Sequence, residues 1–381
     1  VKTVGDLLFE ISERPGGHEE IPVLTLTEKR GFVLQGERFS KRLATEDTSR
    51  YKLIQPGTFA FNPYLLWAGA LAMNDLGFSG VASPLYPTFR VREGLDESYV
   101  YRILSAPGMV ARYDSVAFGS VPRRRRTSVK DFVSLHVPEL PSLDEQRRIA
   151  AILDRADARR SRRRAQLRGL NLFIHAVFQD FSRQAPGELV PASEAWLSLR
   201  NGQSPDRGGL HEEDVLTLSS VTQSRFDPRL IKRGAFREVP SGAKRVHLDD
   251  FLLARGNGNK NLVGVGVFSG KSGEGIVFPD TVIAAELDTS RVDPRFFEAA
   301  WGQPFVRRQI LSAARTTNGT FKVNQKALGQ VMIPIPPVSV QREFAAVVAK
   351  IDAQRERIER ALALEDELFA SLQYRAFRGE L

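Results

Sequence analysis

Two stretches of the chain carry apolar residues at alternating three- and four-residue spacing for longer than an ordinary globular helix requires. In the first, Ile149, Leu153, Ala156, Leu167, Leu170, Ile174 and Val177 share one helical stripe. In the second, Phe344, Val348, Ile351, Ile358, Leu362, Phe369 and Leu372 do the same. The two stretches are copies. With an offset of 195, Gln146-Arg147 falls on Gln341-Arg342, Pro141 on Pro336, and the polar interruption Arg160 on Arg355, while Glu365 opposite Leu170 departs from the match. Heptad spacing over about four heptads, free of Pro and with one Gly, predicts two long helices that pair as a coiled coil. Ser142-Leu143-Asp144-Glu145 fits a capping box that satisfies free N–H groups of the first turn. Pro336-Pro337 ends the strand before the second helix. The first helix is expected from about Leu143 to Asp180, roughly 55 Å at 1.5 Å per residue.

Outside these helices the pattern changes to short β-rich runs, Gly/Pro turns and single helical patches such as ESYVYRILSA and PRFFEAAWGQPFVRRQIL. These regions are faintly related too. Val23 to Thr27 is echoed by Val215 to Ser219, QPGTFAFN at 55–62 by LDDFLLARGNG at 248–258, and KDFVSLHVPELP at 130–141 by KALGQVMIPIPP at 326–337. The chain therefore reads as α+β: mixed α/β globules over 1–141 and 185–336, and long helices over 142–184 and 337–381. The first helix leads from globule one to globule two, so a second helix packed on it must run back. The expected coil is antiparallel, with a pseudo-twofold internal repeat.

Composition narrows the chemistry. The 381 residues include no Cys, which removes disulfides, thiolate metal sites and a cysteine nucleophile. No run of 18 apolar residues exists and the first twenty residues lack a basic-then-apolar leader, so a soluble cytoplasmic chain with no membrane partner is expected. The formal net charge is +9, and from Arg123 to Arg168 fourteen basic residues, thirteen of them Arg, face six acidic ones. The planar guanidinium bonds phosphate and guanine edges bidentately, so this density favours nucleic acid; a solvated helix face is the plainer reading of the same run.

The motif Pro141-Ser142-Leu143-Asp144-Glu145-Gln146-Arg147, its copy from Pro336 to Arg342, and the paired endings Leu172-Phe173 with Phe181 and Leu368-Phe369 with Phe377 resemble the specificity subunits of Type I restriction-modification systems. The resemblance covers the whole length; Val340 stands where that family usually has Glu. It implies a non-catalytic reader of double-stranded DNA, with two target-recognition domains each reading half of a bipartite, asymmetric site and a coil that sets the gap. It also implies docking of two methyltransferase subunits and of restriction/motor subunits. S-adenosylmethionine, ATP and Mg would belong to those partners and none to this chain. Readers about one helical turn apart, roughly 34–36 Å, would lie on one face of a duplex.

Candidate DNA-binding residues follow. In the first globule they are Asn62 and Trp67, beside Tyr64, where the family has a polar loop, and Arg123, Arg124, Arg125 and Arg126 for phosphate. In the second they are Arg255, Asn257, Asn259 and Lys260, which offer donors to guanine and adenine edges in a Gly-rich stretch, and Arg315, Thr316, Asn318 and Thr320. A hairpin turn explains the Asn/Gly stretch equally well. Coil or partner-docking positions are Gln146, Ile149, Leu153, Leu167, Leu170, Ile174, Gln341, Phe344, Val348, Ile351, Leu362 and Phe369. The apolar Phe173, Phe178, Phe369, Leu372 and Phe377 are expected to need methyltransferase surfaces to cover them.

Enzyme motifs fall short. GVGVFSGKSG has Val265 where a nucleotide-binding loop needs Gly, Asn62-Pro63-Tyr64 lacks a Pro of the adenine-methyltransferase motif, and the five His lack zinc spacing. No catalytic or metal-ligating constellation emerges. Two other functions fit the architecture: a specificity chain for a methyltransferase-only system, and a coiled-coil scaffold whose globules bind proteins.

Overall fold

The computed structural model describes residues 2–16, 21–28, 30–38, 47–119, 125–206, 208–223, 225–317 and 319–381. They form two compact units, one made of Val1–Arg162 with Ala361–Leu381 and the other of Arg163–Arg360.

Each unit is built on a four-stranded antiparallel sheet. In the first unit the spatial order is Leu8–Ile11, Thr88–Val91, Phe59–Phe61, Leu71–Met73. In the second it is Trp196–Asn201, Val282–Leu287, Asp250–Ala254, Gly266–Phe268. Both orders take the first, fourth, second and third of these strands in sequence, so the topology is duplicated. The 55–62 and 248–258 stretches, paired above on pattern alone, supply the same strand in each.

Within the central strands, residues 59–61, 251–254 and 282–285 are apolar at every position because both sheet faces are covered there. Alternate residues enter different cores. Phe251, Leu253, Ile283 and Ala285 join Trp196, Phe297 and Trp301 on one face; Leu252, Ala254, Val282 and Ala284 join Leu216, Val246 and Phe278 on the other. In the first unit Phe59, Phe61 and Phe89 pack with Tyr99, Tyr113 and Phe132, while Ala60 and Ala72 meet Leu24, Leu26 and Phe32 of the hairpin Leu24–Thr27/Gly31–Leu34. Full burial of one such aromatic contributes about 1.5–3 kcal/mol, so these clusters hold each unit together.

Two short helices close the first face in both units. Glu97–Leu104 is capped by Asp96, whose carboxylate accepts from Tyr99 N. Pro294–Trp301 is capped by Asp293, accepting from Arg295 N and Phe296 N. A second helix opens on Pro in each case, Pro107–Ser115 and Pro304–Ala313; Pro suits a first turn whose N–H has no intrahelical partner.

The long helices are Leu143–Gln184 and Val338–Ala376, 42 and 39 residues, or about 63 and 58 Å. The first outruns the expected Asp180 by one turn, because no breaker comes before Ala185-Pro186. Each unit contains the first half of one helix antiparallel to the last half of the other. Arg160 meets Asp366 and Arg148 reaches the carbonyl of Leu381 in the first unit. In the second, Phe178 and Phe181 stack edge-on against Phe344 at 5.7 and 5.8 Å.

Three expectations need correction. The capping box closes on one side only: Glu145 N donates to Ser142 Oγ at 3.4 Å, but the Glu145 carboxylate is drawn to Arg148 at 2.7 and 2.8 Å. The heptad stripe is also not only a coil seam, since Ile149 and Leu153 are buried in the core beside Tyr99 and Ile103. Finally, Phe369, Leu372 and Phe377 pack on that same core and Phe178 on Phe296 and Phe344. These side chains are covered by their own units, and only Phe173 of the set is exposed, with Leu172 next to it.

Candidate nucleic-acid interface

In the first unit, strand Phe59–Phe61 runs into a turn fixed by Asn62, whose Oδ1 accepts from Tyr64 N at 3.0 Å. Trp67 Nε1 donates to Tyr64 O at 2.9 Å, and the turn ends on Gly69 at φ +88°, a conformation that favours Gly. A distant segment lies against it. Phe118 and Arg126 exchange both backbone hydrogen bonds at 2.9 and 2.8 Å, and Thr127 N donates to Pro63 O at 2.9 Å. This sets Arg125 over the Trp67 ring at 5.4 Å and Arg126 over Tyr64 at 5.7 Å. Arg125 is further tied to the Asp114 carboxylate and carbonyl, whereas Arg126 is exposed. Arg123 and Arg124 lie outside the described residues.

The second unit repeats the arrangement. Strand Asp250–Ala254 runs into Arg255-Gly256-Asn257, and Gly256 and Asn257 pair with Lys322 and Phe321. Thr320–Lys322 pairs in turn with Arg315–Thr317, and Val323 N donates to Arg255 O at 2.9 Å. The two candidate stretches, sixty residues apart in sequence, thus form one three-stranded sheet. Asn257 Oδ1 accepts from Asn259 N at 2.8 Å and Asn259 Oδ1 from Asn261 N at 3.0 Å. Both oxygens serve local turns, so the amide NH₂ groups are the ends suited to a base acceptor. Asn259, Lys260, Arg315 and Thr316 are exposed; Arg255, Asn257 and Thr320 are half-buried. Arg255 Nη1 reaches the Asp280 carbonyl at 3.4 Å. Asn318 lies outside the described residues.

Sequence reading missed the residues that hold this frame. Arg307 Nη2 donates to the carbonyls of Asn261 and Val263 at 3.0 and 2.8 Å, bracing the Asn-rich loop from behind. Gln146 and Gln341, marked above only as coil positions, are buried clamps. Gln146 accepts from Asp96 N at 3.1 Å and donates to Pro141 O at 2.9 Å. Gln341 accepts from Asp293 N at 2.8 Å and donates to Pro336 O and Arg291 O at 2.8 and 3.1 Å. The repeated Pro-to-Gln spacing was the available signal.

Among the other coil positions, Phe344, Val348 and Ile351 are buried, while Leu167, Leu170, Ile174, Leu362 and Phe369 are half-buried. Exposed apolar side chains remain at Leu172 and Phe173 on the first helix (72% and 54%) and at Leu364 and Leu368 on the second (67% and 52%). Phe173 and Leu368 are equivalent under the 195-residue offset. Among the described residues no group of His, Asp and Glu could hold a metal ion, and no helix is long and apolar enough to cross a membrane.

Two curated proteins match this framework. The specificity subunit of the Type I restriction enzyme EcoKI of Escherichia coli K12 is 30% identical over 190 residues, which cover 48% of this chain and 40% of that protein. Over that stretch the chain is similar to a Type I specificity subunit. A second such subunit, from the StySPI enzyme of Salmonella potsdam, is 27% identical over 271 residues, 66% of this chain and 58% of its own length. The chain thus spans about half the length of the curated specificity subunits it matches. No protein-family profile matches it. In fold it follows a crystal structure of a Type I restriction-modification S subunit from M. genitalium, with TM-score 0.52 and 13% identity over 99% of this chain and 95% of that one. A chain from a study of complex assembly in a type I R-M system gives TM-score 0.50 and 14% identity over 100% and 97%.

Proposed function

We propose that the chain is the DNA-recognition subunit of a Type I restriction-modification complex, without catalytic machinery of its own. The observation that carries this reading is the duplicated loop pair. After the same sheet strand in each unit, a turn is joined by a distant strand or hairpin that brings basic side chains to it. The two copies differ in chemistry: Tyr64, Trp67, Arg125 and Arg126 in one, Arg255, Asn257, Asn259, Lys260 and Arg315 in the other. Two unlike readers in one chain suit a bipartite site with unlike halves. Arg126 and Arg315 would contact phosphate, and the Asn amides base edges.

The two long helices enter both units, so their length would set the distance between half-sites. The recognition domains would be 1–141 and 185–336. The equivalent exposed positions Phe173 and Leu368, each with a further exposed Leu nearby (Leu172 and Leu364), would offer two docking points for two methyltransferase subunits; restriction/motor subunits would join for cleavage. The test is replacement of Asn257, Asn259 and Lys260 by Ala in the assembled methyltransferase. Specificity should relax at one half-site and stay intact at the other. Relaxation of both halves, or of neither, would remove the assignment.

A further inference from the structure

The repeat allows the charges between the paired helices to be compared position by position. In the first unit they close on themselves. Arg160 donates from Nε to Asp366 at 2.6 Å and from Nη1 to Asp157 at 2.9 Å, and its guanidinium lies 4.2 Å over the Phe369 ring. Arg102 bonds Asp154 and Asp157 at 2.9 and 3.0 Å. Three carboxylates thus face two guanidiniums.

In the second unit the same positions do not close. Arg355 takes the place of Arg160 and Asp352 that of Asp157, but Asp366 becomes Asn171, Asp154 becomes Ala349 and Phe369 becomes Ile174. Arg355 is 3% exposed, and its Nε has no hydrogen-bond partner, standing 3.6 Å from Asp352 Oδ1. Positive charge is added rather than removed. Arg225 and Arg295 approach Asp352 at 3.4 and 4.0 Å, and Arg307 turns a second buried, unpartnered nitrogen, Nη1, to the interior. These four arginines line one cavity of about 410 Å³, together with Glu298 and Asp352. Glu298 is already engaged, accepting from Arg295 Nη1 and from Phe268 N. Burial pushes the guanidiniums of Arg307 and Arg355 down from their usual range, with Arg225 adding repulsion at Arg355.

From this geometry we infer that the cavity of the second unit is a binding site for a phosphate group. Four guanidiniums against two carboxylates leave a surplus of two positive charges, which matches a phosphate dianion. A buried guanidinium N–H without an acceptor costs free energy that a phosphate oxygen would recover. Arg307 also braces the Asn-rich loop through the carbonyls of Asn261 and Val263, so the cavity adjoins that candidate recognition loop from behind.

The experiment is thermal unfolding of the full chain in inorganic phosphate against chloride at equal ionic strength, followed through Trp301, which lines the cavity. Phosphate should raise the midpoint saturably and chloride should not. Arg355→Met should weaken phosphate at least tenfold. Asn171→Asp restores the carboxylate found at the equivalent position, so it should raise the midpoint in chloride and weaken phosphate at least tenfold. Duplex DNA that competes with phosphate would identify the group as a backbone phosphate, and lack of competition a free one. The inference is overturned by a phosphate response no larger than that of chloride, or one unchanged in Asn171→Asp. Saturation by acetate with phosphate inert would also overturn it, assigning the cavity to a carboxylate.

Discussion

Gln341 makes three hydrogen bonds near the start of the second long helix, and Gln341→Met removes them while keeping the side chain's length. Three hydrogen bonds are lost: one accepted from Asp293 N and two donated, to Pro336 O and Arg291 O. Gln341 is fully buried, so water cannot replace the amide. At about 0.5–1.5 kcal/mol per bond, the loss is about 2–4 kcal/mol. Gln146→Met removes two bonds and should cost less, about 1–3 kcal/mol. Urea unfolding reports both, through Trp196 and Trp301 for the second unit and Trp67 for the first. The reasoning fails if Gln341→Met shifts stability by less than about 0.5 kcal/mol, or if Gln146→Met costs more. The clamp matters because Asp293 also caps the helix that packs on the sheet; a loose clamp frees the long helix from the unit it positions.

Other outcomes can be stated briefly. Gly264→Ala should destabilise the second unit by about 1–3 kcal/mol in the same unfolding assay, because its φ is +65° and a Cβ there would stand 2.4 Å from Ile310 Cγ2. Arg126→Ala should weaken duplex binding uniformly across sequences and reduce the salt slope by about 1, measured by titration at several salt concentrations; a change at one base position would mean direct readout. Removing one heptad from each long helix, between Arg155 and Gly169 in the first, shortens each by about 10 Å. The gap between half-sites should then shrink by about three base pairs at 3.4 Å each, read by sequencing the methylated sites, and an unchanged gap would end the ruler idea.

The long helices were legible because heptad periodicity needs only local sequence, and the copied Pro, Gln and Arg positions fixed their register. The sheets were less so. Strands of three or four residues such as Phe59–Phe61 and Leu71–Met73 carry too few positions for a period, and burial on both faces removes alternation. The pairing of Thr127 with Pro63, or of Lys322 with Gly256, joins residues about sixty apart and has no local signature. The candidate residues were therefore found singly, and the fold assembled them into pairs. Gln146 and Gln341 were noticed as repeats, but their role depends on Asp96 N and Asp293 N, which belong to another element. The apolar helix ends suggest a missing partner on sequence alone, because periodicity cannot distinguish a seam facing a second helix from one facing its own globule.

The central claim is that this chain chooses which DNA sequence is modified. It is tested most directly by mapping adenine methylation across the genome that encodes the chain, with and without the gene. Loss of a single bipartite motif with unlike halves is the predicted result, and an unchanged map from a complex that is otherwise active would contradict it.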